Sequence, residues 1–228
     1  FKVILKKAGE HIIRVEDIKD MDLRAEAWAS VRSAGFAGLI LSGVPDRVEA
    51  GTLLTITVMA VDPFGNAACS YTGRISFSST DPKASLPQGY KFTPLDKGVH
   101  IFSNSLVLRT AVRQTVCVSD EGIDACLSTD VYPSKSSSLI ISFPQEFVAC
   151  VATTITVSVI DPYGNFARDY RGKVIFASTD PQATIPSEYT FTEQDAGVHE
   201  FDIIFRTGGD WFLKVSDAVA PELKANSS

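Results

Sequence analysis

The 228-residue sequence lacks several features that would point to common functions. It has no basic surplus, since 21 Lys and Arg stand against 27 Asp and Glu, for a net charge of −6. A nucleic-acid-binding chain needs such a surplus to neutralise phosphates, and so does electrostatic attraction to anionic membranes. Nor does it contain a run of about 18 apolar residues, the length that a membrane-spanning helix requires. We therefore expect no nucleic-acid partner and no direct membrane insertion.

Residues that carry catalysis or bind metals are also scarce, with three His and four Cys. His100 and His199 lie 99 positions apart at equivalent places in a repeat, so one metal cannot bind both. No HExxH spacing, Ser-His-Asp set, glycine-rich phosphate loop or paired CxxC is present. We therefore predict no catalytic residue, no metal site, no cofactor and no enzymatic activity.

An internal repeat is the strongest signal that the sequence does contain. Positions 62–102 align without a gap on positions 161–201, and 22 of the 41 pairs are identical. Shared motifs include DP(F/Y)GN, YxG, STDP, YxFT and DxGVHxF. Such identity indicates two copies of one module.

A partial third copy opens the chain, because positions 1–17 match positions 201–217. His11 then falls where Trp211 lies in the last copy, which suggests a packing position. We expect residues 1–35 to be the last three strands of a preceding, incomplete repeat. The sequence shows no signal peptide, and we expect the export signal to lie upstream or the chain to be a cut-out piece.

The repeats have the pattern of β-strands. Leu54, Ile56 and Val58 alternate with threonines, which is typical of a half-buried strand. The predicted strands of the first complete copy are 39–44, 52–62, 72–79, 90–93, 98–109, 113–120 and 124–132. Seven short strands in about 100 residues predict an all-β fold of tandem, seven-stranded, immunoglobulin-like β-sandwiches. We place the complete sandwiches at residues 36–133 and 134–228.

The motifs DPFGN, YTGRISFSSTDP, LPxxYKFT and DKGVHIF resemble those of bacterial immunoglobulin-like, filamin-type tandem repeats. Large exported surface proteins, such as surface-layer proteins and adhesins, contain repeats of this kind. The resemblance covers nearly the whole chain. It implies the fold and an extracellular or cell-surface location, whereas a fold by itself does not define a function.

The polar motifs of the repeats have the composition of turns. Asp at the first position, Pro at the second and Gly at the fourth suit a type I turn, as in the motifs that begin at Asp62 and Asp161. A calcium site at either Asp would need six to eight oxygen ligands, and each loop offers one carboxylate and one Asn. Asp81-Pro82 and Asp180-Pro181 have the same composition. We interpret all four motifs as turns.

The cysteines bear on the compartment of the protein. A two-residue hairpin at 121–122 would place Cys117 opposite Cys126 as a non-hydrogen-bonded pair, close enough for a disulfide. Such a bridge is an open possibility that would indicate an oxidising compartment. Cys69 and Cys150 lie in different repeats, and we expect both to be free.

Three functions remain open at this stage. The first is a structural module of a secreted or cell-surface protein, a surface-layer subunit or adhesin stalk that acts as a spacer and self-assembly unit. Its partners would be neighbouring domains of the same chain and homotypic protein contacts. The second is an accessory carbohydrate-binding array of an extracellular hydrolase, which would need exposed aromatic side chains such as Trp28. The third is a filamin-like intracellular scaffold that adds a partner strand to a sheet edge.

Overall fold

The computed structural model describes residues 2–144 and 146–226. These residues form two compact units. Unit 1 contains residues 2–46, Leu53–Val107 and Arg113–Thr129. Unit 2 contains Arg47–Thr52, Leu108–Val112 and the described residues from Asp130 onward.

The partial repeat at the start of the chain forms a two-stranded antiparallel sheet. Its strands are β1 (Gly9–Glu16) and β2 (Arg24–Val31), paired from Gly9↔Val31 to Glu16↔Arg24. Residues 2–8 form no strand, although we predicted three strands in this region. The matching strand of the last repeat pairs with a neighbour along its edge, and no strand in the described part of the chain offers residues 2–8 such a neighbour.

The first complete repeat folds into two sheets. The first sheet has the order β3-β5-β8, and the second β4-β10-β9-β6-β7. Their strands are β3 (Gly38–Ser42), β4 (Arg47–Glu49), β5 (Leu54–Val61), β6 (Arg74–Ser79), β7 (Tyr90–Lys91), β8 (Val99–Leu106), β9 (Arg113–Asp120) and β10 (Ile123–Tyr132). Strands β4 and β10 are parallel. The pairs β3–β5, β5–β8, β6–β7 and β6–β9 are antiparallel. This arrangement is the immunoglobulin-like sandwich.

The second complete repeat has the same plan. One sheet has the order β11-β12-β15 and the other β14-β13-β16-β17. The strands are β11 (Ser138–Ser142), β12 (Thr153–Ile160), β13 (Lys173–Ser178), β14 (Glu188–Thr190), β15 (Val198–Ile203), β16 (Leu213–Asp217) and β17 (Lys224–Asn226). The prediction of an all-β, immunoglobulin-like chain is therefore confirmed.

Each sandwich is filled by the inward side chains of both sheets. In the second repeat, Ile155, Val157 and Val215 are fully buried. Phe176 meets Phe201 edge to face, with 4.8 Å between ring centres. The first repeat places Phe77 and Phe102 in the same arrangement at 5.0 Å. Period-two alternation along the strands produces these cores because successive side chains point to opposite faces of a sheet.

Two short elements of the first repeat were not predicted. Strand β4 has three residues and pairs in parallel with the end of β10, through Val48↔Val131. A 3₁₀ helix at Pro94–Asp96 follows β7, which is two residues long where we predicted 90–93. Both elements are too short to produce a periodic pattern in the sequence.

Candidate functional site

The DPxGN loops, residues 62–66 and 161–165, are the candidate functional sites of the chain. Each is a turn, as predicted, closed by a bond from the Gly N–H to the Asp carbonyl at 3.0 Å in the first loop and 3.1 Å in the second. The Asp62 carboxylate is buried and accepts the backbone N–H groups of Phe64 and Asn66 at 2.9 Å each. It also accepts the N–H of Ala34 at 2.9 Å. The carboxylate therefore connects the turn to Ala34, which lies just before β3.

The asparagine at the end of each loop binds a distant stretch of backbone. In unit 1, Asn66 Nδ2 donates to Lys6 O at 2.8 Å, and Asn66 Oδ1 accepts the N–H of Ala8 at 2.9 Å. The partners are about 60 residues away along the chain. We call residues 6–8 a bound segment. The asparagine amide and two peptide groups of this segment form a paired hydrogen-bond contact.

Unit 2 contains the same contact. Asn165 Nδ2 donates to Arg109 O at 2.7 Å, and Asn165 Oδ1 accepts the N–H of Ala111 at 2.8 Å. Residues 109–111 are thus a second bound segment, and they belong to unit 2 together with the loop. The Asp161 carboxylate orients the amide by accepting Asn165 Nδ2 at 2.8 Å, as Asp62 does for Asn66. One contact has been built twice from equivalent residues.

The aromatic residue in the middle of the loop meets a cation of the bound segment. Lys6 Nζ lies 5.9 Å from the centre of the Phe64 ring, and the Arg109 guanidinium carbon lies 5.9 Å from that of Tyr163. Both distances are within the range of cation–π attraction. Gly51 fits under Tyr163, because a Cβ atom on Gly51 would lie 2.0 Å from the Tyr163 hydroxyl and 2.5 Å from its ring.

The hydrogen bonds of the loops alter the acidity of their carboxyl groups. Burial raises the pKa of Asp62, but bonds from Asn66, Ala34 and Phe64 outweigh this effect and lower the pKa to about 2. The pKa of Asp161 is lowered by the equivalent bonds, against the same effect of burial. Both groups are therefore carboxylates at neutral pH, and their lone pairs are engaged by donors of the chain itself.

A third segment with the same pattern, residues 206–208, lies after β15 in unit 2. Asp180 of the STDP motif shapes it by accepting the N–H of Arg206 at 2.8 Å and the hydroxyl of Thr207 at 2.5 Å. Burial raises the pKa of Asp180, and these bonds, with that from the Gln182 N–H, lower it to about 2. The Asp180-Pro181 motif is thus a turn, as predicted, and the Asp180 carboxylate also binds the 206–208 segment.

The histidines form part of a repeated hydrogen-bond cluster. Asp96 accepts His100 Nδ1 at 2.8 Å, the Thr93 N–H at 2.7 Å and the Tyr90 hydroxyl at 3.0 Å. The rings of Tyr90 and His100 stack with 3.8 Å between their centres. The second repeat builds the same cluster from Asp195, His199, Thr192 and Tyr189. A carboxylate with this many local donors orders the start of β8 in the first sandwich and of β15 in the second.

The tyrosine of the YxG motif makes a hydrogen bond that is also present in both repeats. The Tyr71 hydroxyl donates to Asp120 Oδ2 at 2.6 Å, and Tyr170 donates likewise to Asp217. A Cβ on Gly73 would lie 2.5 Å from the Tyr71 hydroxyl, so the glycine leaves room for the pair. Burial raises the pKa of Tyr71, and the carboxylate of Asp120 adds to the rise.

Cys117 and Cys126 form a disulfide across the β9–β10 hairpin, with Cα atoms 4.1 Å apart. Glu121 and Gly122 at its tip have φ of 45° and 91°, as a two-residue type I′ turn requires. Cys69 and Cys150 are exposed free thiols.

The two tryptophans differ in exposure. Trp28 on β2 is 72% exposed, whereas Trp211 is half-buried and donates its ring N–H to Thr207 O at 2.8 Å. Among the described residues there is no group of three His, Cys, Asp or Glu side chains able to hold a metal ion. Within those residues, no helix has the length and apolar character to cross a membrane.

The sequence matches no protein-family model, and no curated protein matches it. Its fold is similar to that of an Escherichia coli adhesin, FdeC, at 21% identity and a TM-score of 0.47, over 89% of this chain and 68% of that one. Invasin, a bacterial integrin-binding protein, is 17% identical, with a TM-score of 0.39 over 83% and 38% of the two chains. β-Glucuronidase 3 of Bacteroides uniformis is 11% identical, with a TM-score of 0.35 over 83% of this chain and 24% of that one.

Bacterial adhesins are among the solved structures that this chain matches, at TM-scores below 0.5. The chain spans about a quarter of the β-glucuronidase to which it is similar. At these identities the likeness concerns the fold alone. The function must follow from the residues of this chain.

Proposed function

We propose that this chain is a non-enzymatic structural part of a secreted or cell-surface protein, in which its repeats act as a spacer. The observation that carries this proposal is the use made of the repeated polar residues. Asp62 and Asp161 hold turns, and Asn66 and Asn165 bind backbone segments. These groups bind the chain itself, whereas a catalytic group must be free to contact a substrate.

The other repeated motifs support the same function. The Asp96 and Asp195 carboxylates are engaged by His, Thr and Tyr side chains next to them. Asp180 holds the 206–208 segment. Duplicated residues whose hydrogen bonds stiffen loops and strand ends are what a repeated spacer requires.

An extracellular or cell-surface location is supported by the Cys117–Cys126 disulfide, because such bonds persist in oxidising compartments. Cys69 and Cys150 provide a direct test, since both thiols are exposed. A membrane-impermeant maleimide added to intact producing cells should label them, and a Cys69→Ser, Cys150→Ser variant should remain unlabelled. Labelling only after lysis, with Cys117 and Cys126 reactive before any reductant is added, would instead favour the intracellular scaffold.

Self-assembly separates the two structural roles. A surface-layer subunit should form homotypic contacts, whereas a stalk should remain a monomer. Sedimentation velocity across a concentration series, with and without Ca²⁺, distinguishes them. Concentration-dependent association would support the surface-layer subunit, and a constant monomer would support the stalk.

Carbohydrate binding is the less favoured alternative. It would require exposed aromatic faces, and of the two tryptophans only Trp28 is largely exposed. Binding of the purified chain to a glycan array, lost in a Trp28→Ala variant, would support an accessory array of an extracellular hydrolase over a spacer.

A further inference from the structure

Three segments of the chain share one pattern and one position. Segments 109–111 and 206–208 follow β8 and β15, and segment 6–8 aligns with 206–208 in the sequence. Each reads Lys or Arg, any residue, then Ala or Gly. In the two bound segments, the carbonyl of the first residue and the N–H of the third bind the asparagine of a DPxGN loop. We call 206–208 the open segment.

The open segment presents the same two peptide groups. Among the described residues, the Gly208 N–H has no hydrogen-bond partner, and the Arg206 carbonyl meets the Cys150 thiol at 3.6 Å. Asp180 already fixes the segment through the N–H groups of Arg206 and Thr207. The Arg206 carbonyl and the Gly208 N–H are therefore held in place before a loop binds, which reduces the entropy lost on binding.

One residue beside the open segment differs from its counterpart. Gly51 donates its N–H to Leu108 O at 2.8 Å, and Cys150 donates its N–H to Phe205 O at the same distance. Both have positive φ, 87° at Gly51 and 65° at Cys150. The two residues are equivalent, but Cys150 has a Cβ where Gly51 has none.

This Cβ occupies the place of the loop's aromatic ring. At Gly51, an added Cβ would lie 2.5 Å from the ring of Tyr163, a distance that real Cβ contacts do not show. The Cys150 side chain therefore excludes an aromatic ring in the position that Tyr163 takes over Gly51. A small residue at that loop position would avoid the clash and leave the asparagine contact intact.

We infer that the open segment is a docking site for another immunoglobulin-like module, whose Asp-Pro-x-Gly-Asn loop has a small residue at x, and that Cys150 determines this specificity. The inference rests on the proposed role of the chain as part of a repeat array. The loop asparagine would donate to Arg206 O and accept the Gly208 N–H. The cation of Arg206 would remain without an aromatic partner in the loop, in contrast to Lys6 and Arg109.

The test adds a second copy of residues 129–228 after position 228. This junction continues the spacing of 100 residues between Ala34 and Ser134, whose N–H groups donate to Asp62 and Asp161 respectively. The copied loop carries either Tyr or Ala at the position copied from Tyr163. The receiving chain carries Cys150, Cys150→Gly or Cys150→Ala, of which the last keeps the Cβ and removes the thiol. A further variant replaces the copied Asn165 with Ala. Amide hydrogen exchange at Gly208, followed by NMR, is the measurement, and Ala111 is the internal reference.

With Cys150 in place, the Ala loop should slow exchange at Gly208 at least tenfold, and the Tyr loop should leave it unchanged. Cys150→Gly should restore protection by the Tyr loop, whereas Cys150→Ala should not. Replacement of the copied asparagine should abolish protection in every case. Equal protection by both loops would overturn the specificity, and rapid exchange at Gly208 with both loops in the Cys150 chain would overturn the docking site.

This test is separate from the test of the proposed function. Rapid exchange at Gly208, with labelling of Cys69 on intact cells, would reject the docking site and retain the surface spacer. Protection of Gly208 in a protein whose thiols react only after lysis would reject the surface spacer and retain the docking site. Slow exchange at Ala111 shows in each experiment that the reference contact with Asn165 has formed.

Discussion

The last two strands of the two complete repeats have diverged, although the residues that join them to the sandwich have not. In the first repeat, β9 and β10 are eight and ten residues long, meet in a two-residue turn and carry a disulfide. In the second, β16 has five residues, and residues 218–223 separate it from β17. The connection between the last two strands and the disulfide thus differ between the repeats, whereas the core contacts are shared.

The shared contacts lie on the inner side of these strands. Val116 and Val118 are buried in the first repeat, as Leu213 and Val215 are in the second. An Asp at the end of β9 and of β16 accepts a Tyr hydroxyl in both cases. In the second repeat, Asp217 also accepts the N–H groups of Val219 and Ala220, which orders the longer connection.

The largest effect should come from a residue that both repeats share. Phe92 and Phe191 are among the largest fully buried side chains. Either substitution by Ala should lower the free energy of unfolding of its repeat by about 3–5 kcal/mol, because it leaves a cavity in the sandwich core. Denaturant unfolding followed by hydrogen exchange on each repeat checks this. Markedly unequal effects would show that the two cores are not equivalent.

The disulfide should affect one repeat only. Replacing Cys117 and Cys126 by Ser should lower the stability of the first repeat by about 2–3 kcal/mol, because the unfolded chain is no longer cross-linked across a short loop. The second repeat should keep its unfolding midpoint. A Cys69→Ser, Cys150→Ser variant is the matched control, and an equal loss in that variant would refute the assignment of the effect to the bridge.

The tyrosine contacts should again affect both repeats. Tyr71→Phe and Tyr170→Phe each remove a hydroxyl that donates to a carboxylate, at a cost of about 1.5–3 kcal/mol. Thermal unfolding of both variants measures the effect. Asp120→Asn serves as a control, since an amide oxygen can still accept the Tyr71 hydroxyl and should preserve most of the stability. An unchanged stability of either Tyr→Phe variant would mean that water replaces the hydrogen bond at no cost in the free energy of unfolding.

Acid should produce the smallest effect, and it should reach both repeats together. The pKa of Asp62 and that of Asp180 are about 2 in the folded chain, compared with about 3.9 in an unfolded one. A lowered folded pKa stabilises the protein fully above about pH 5, and this contribution is lost as the pH falls through 2. Melting temperatures measured from pH 6 to pH 2 should therefore decline below pH 5. An Asp62→Asn, Asp180→Asn variant should decline less steeply, and an unchanged slope would contradict this cause.

Much of the fold could be predicted from the sequence, because the repeat and the alternation of Leu54, Ile56 and Val58 specify paired strands with a buried face. Strand β4 could not, since three residues carry no period. The residues 2–8 were wrongly expected to form a strand, because strand propensity does not supply a neighbouring strand to pair with. The proposed function and the domain limits stay predictions.

The asparagine contacts were missed for another reason. Asn66 and Asn165 bind peptide groups about 55–60 residues away, and backbone atoms leave no trace in side-chain identity. The turn alone accounted for both motifs at the level of sequence. One signal was available, namely the recurrence of Lys or Arg at the equivalent positions 6, 109 and 206 of the three copies.

The dependence on peptide groups has a consequence for how such a chain can evolve. Bound segments reading KKA and RTA satisfy the same asparagine, so substitutions there are tolerated wherever the backbone path is retained. A gene duplication of about 100 codons copies a loop and a segment together. An array of this type can grow or shrink by whole repeats without the paired compensating mutations that a side-chain interface demands.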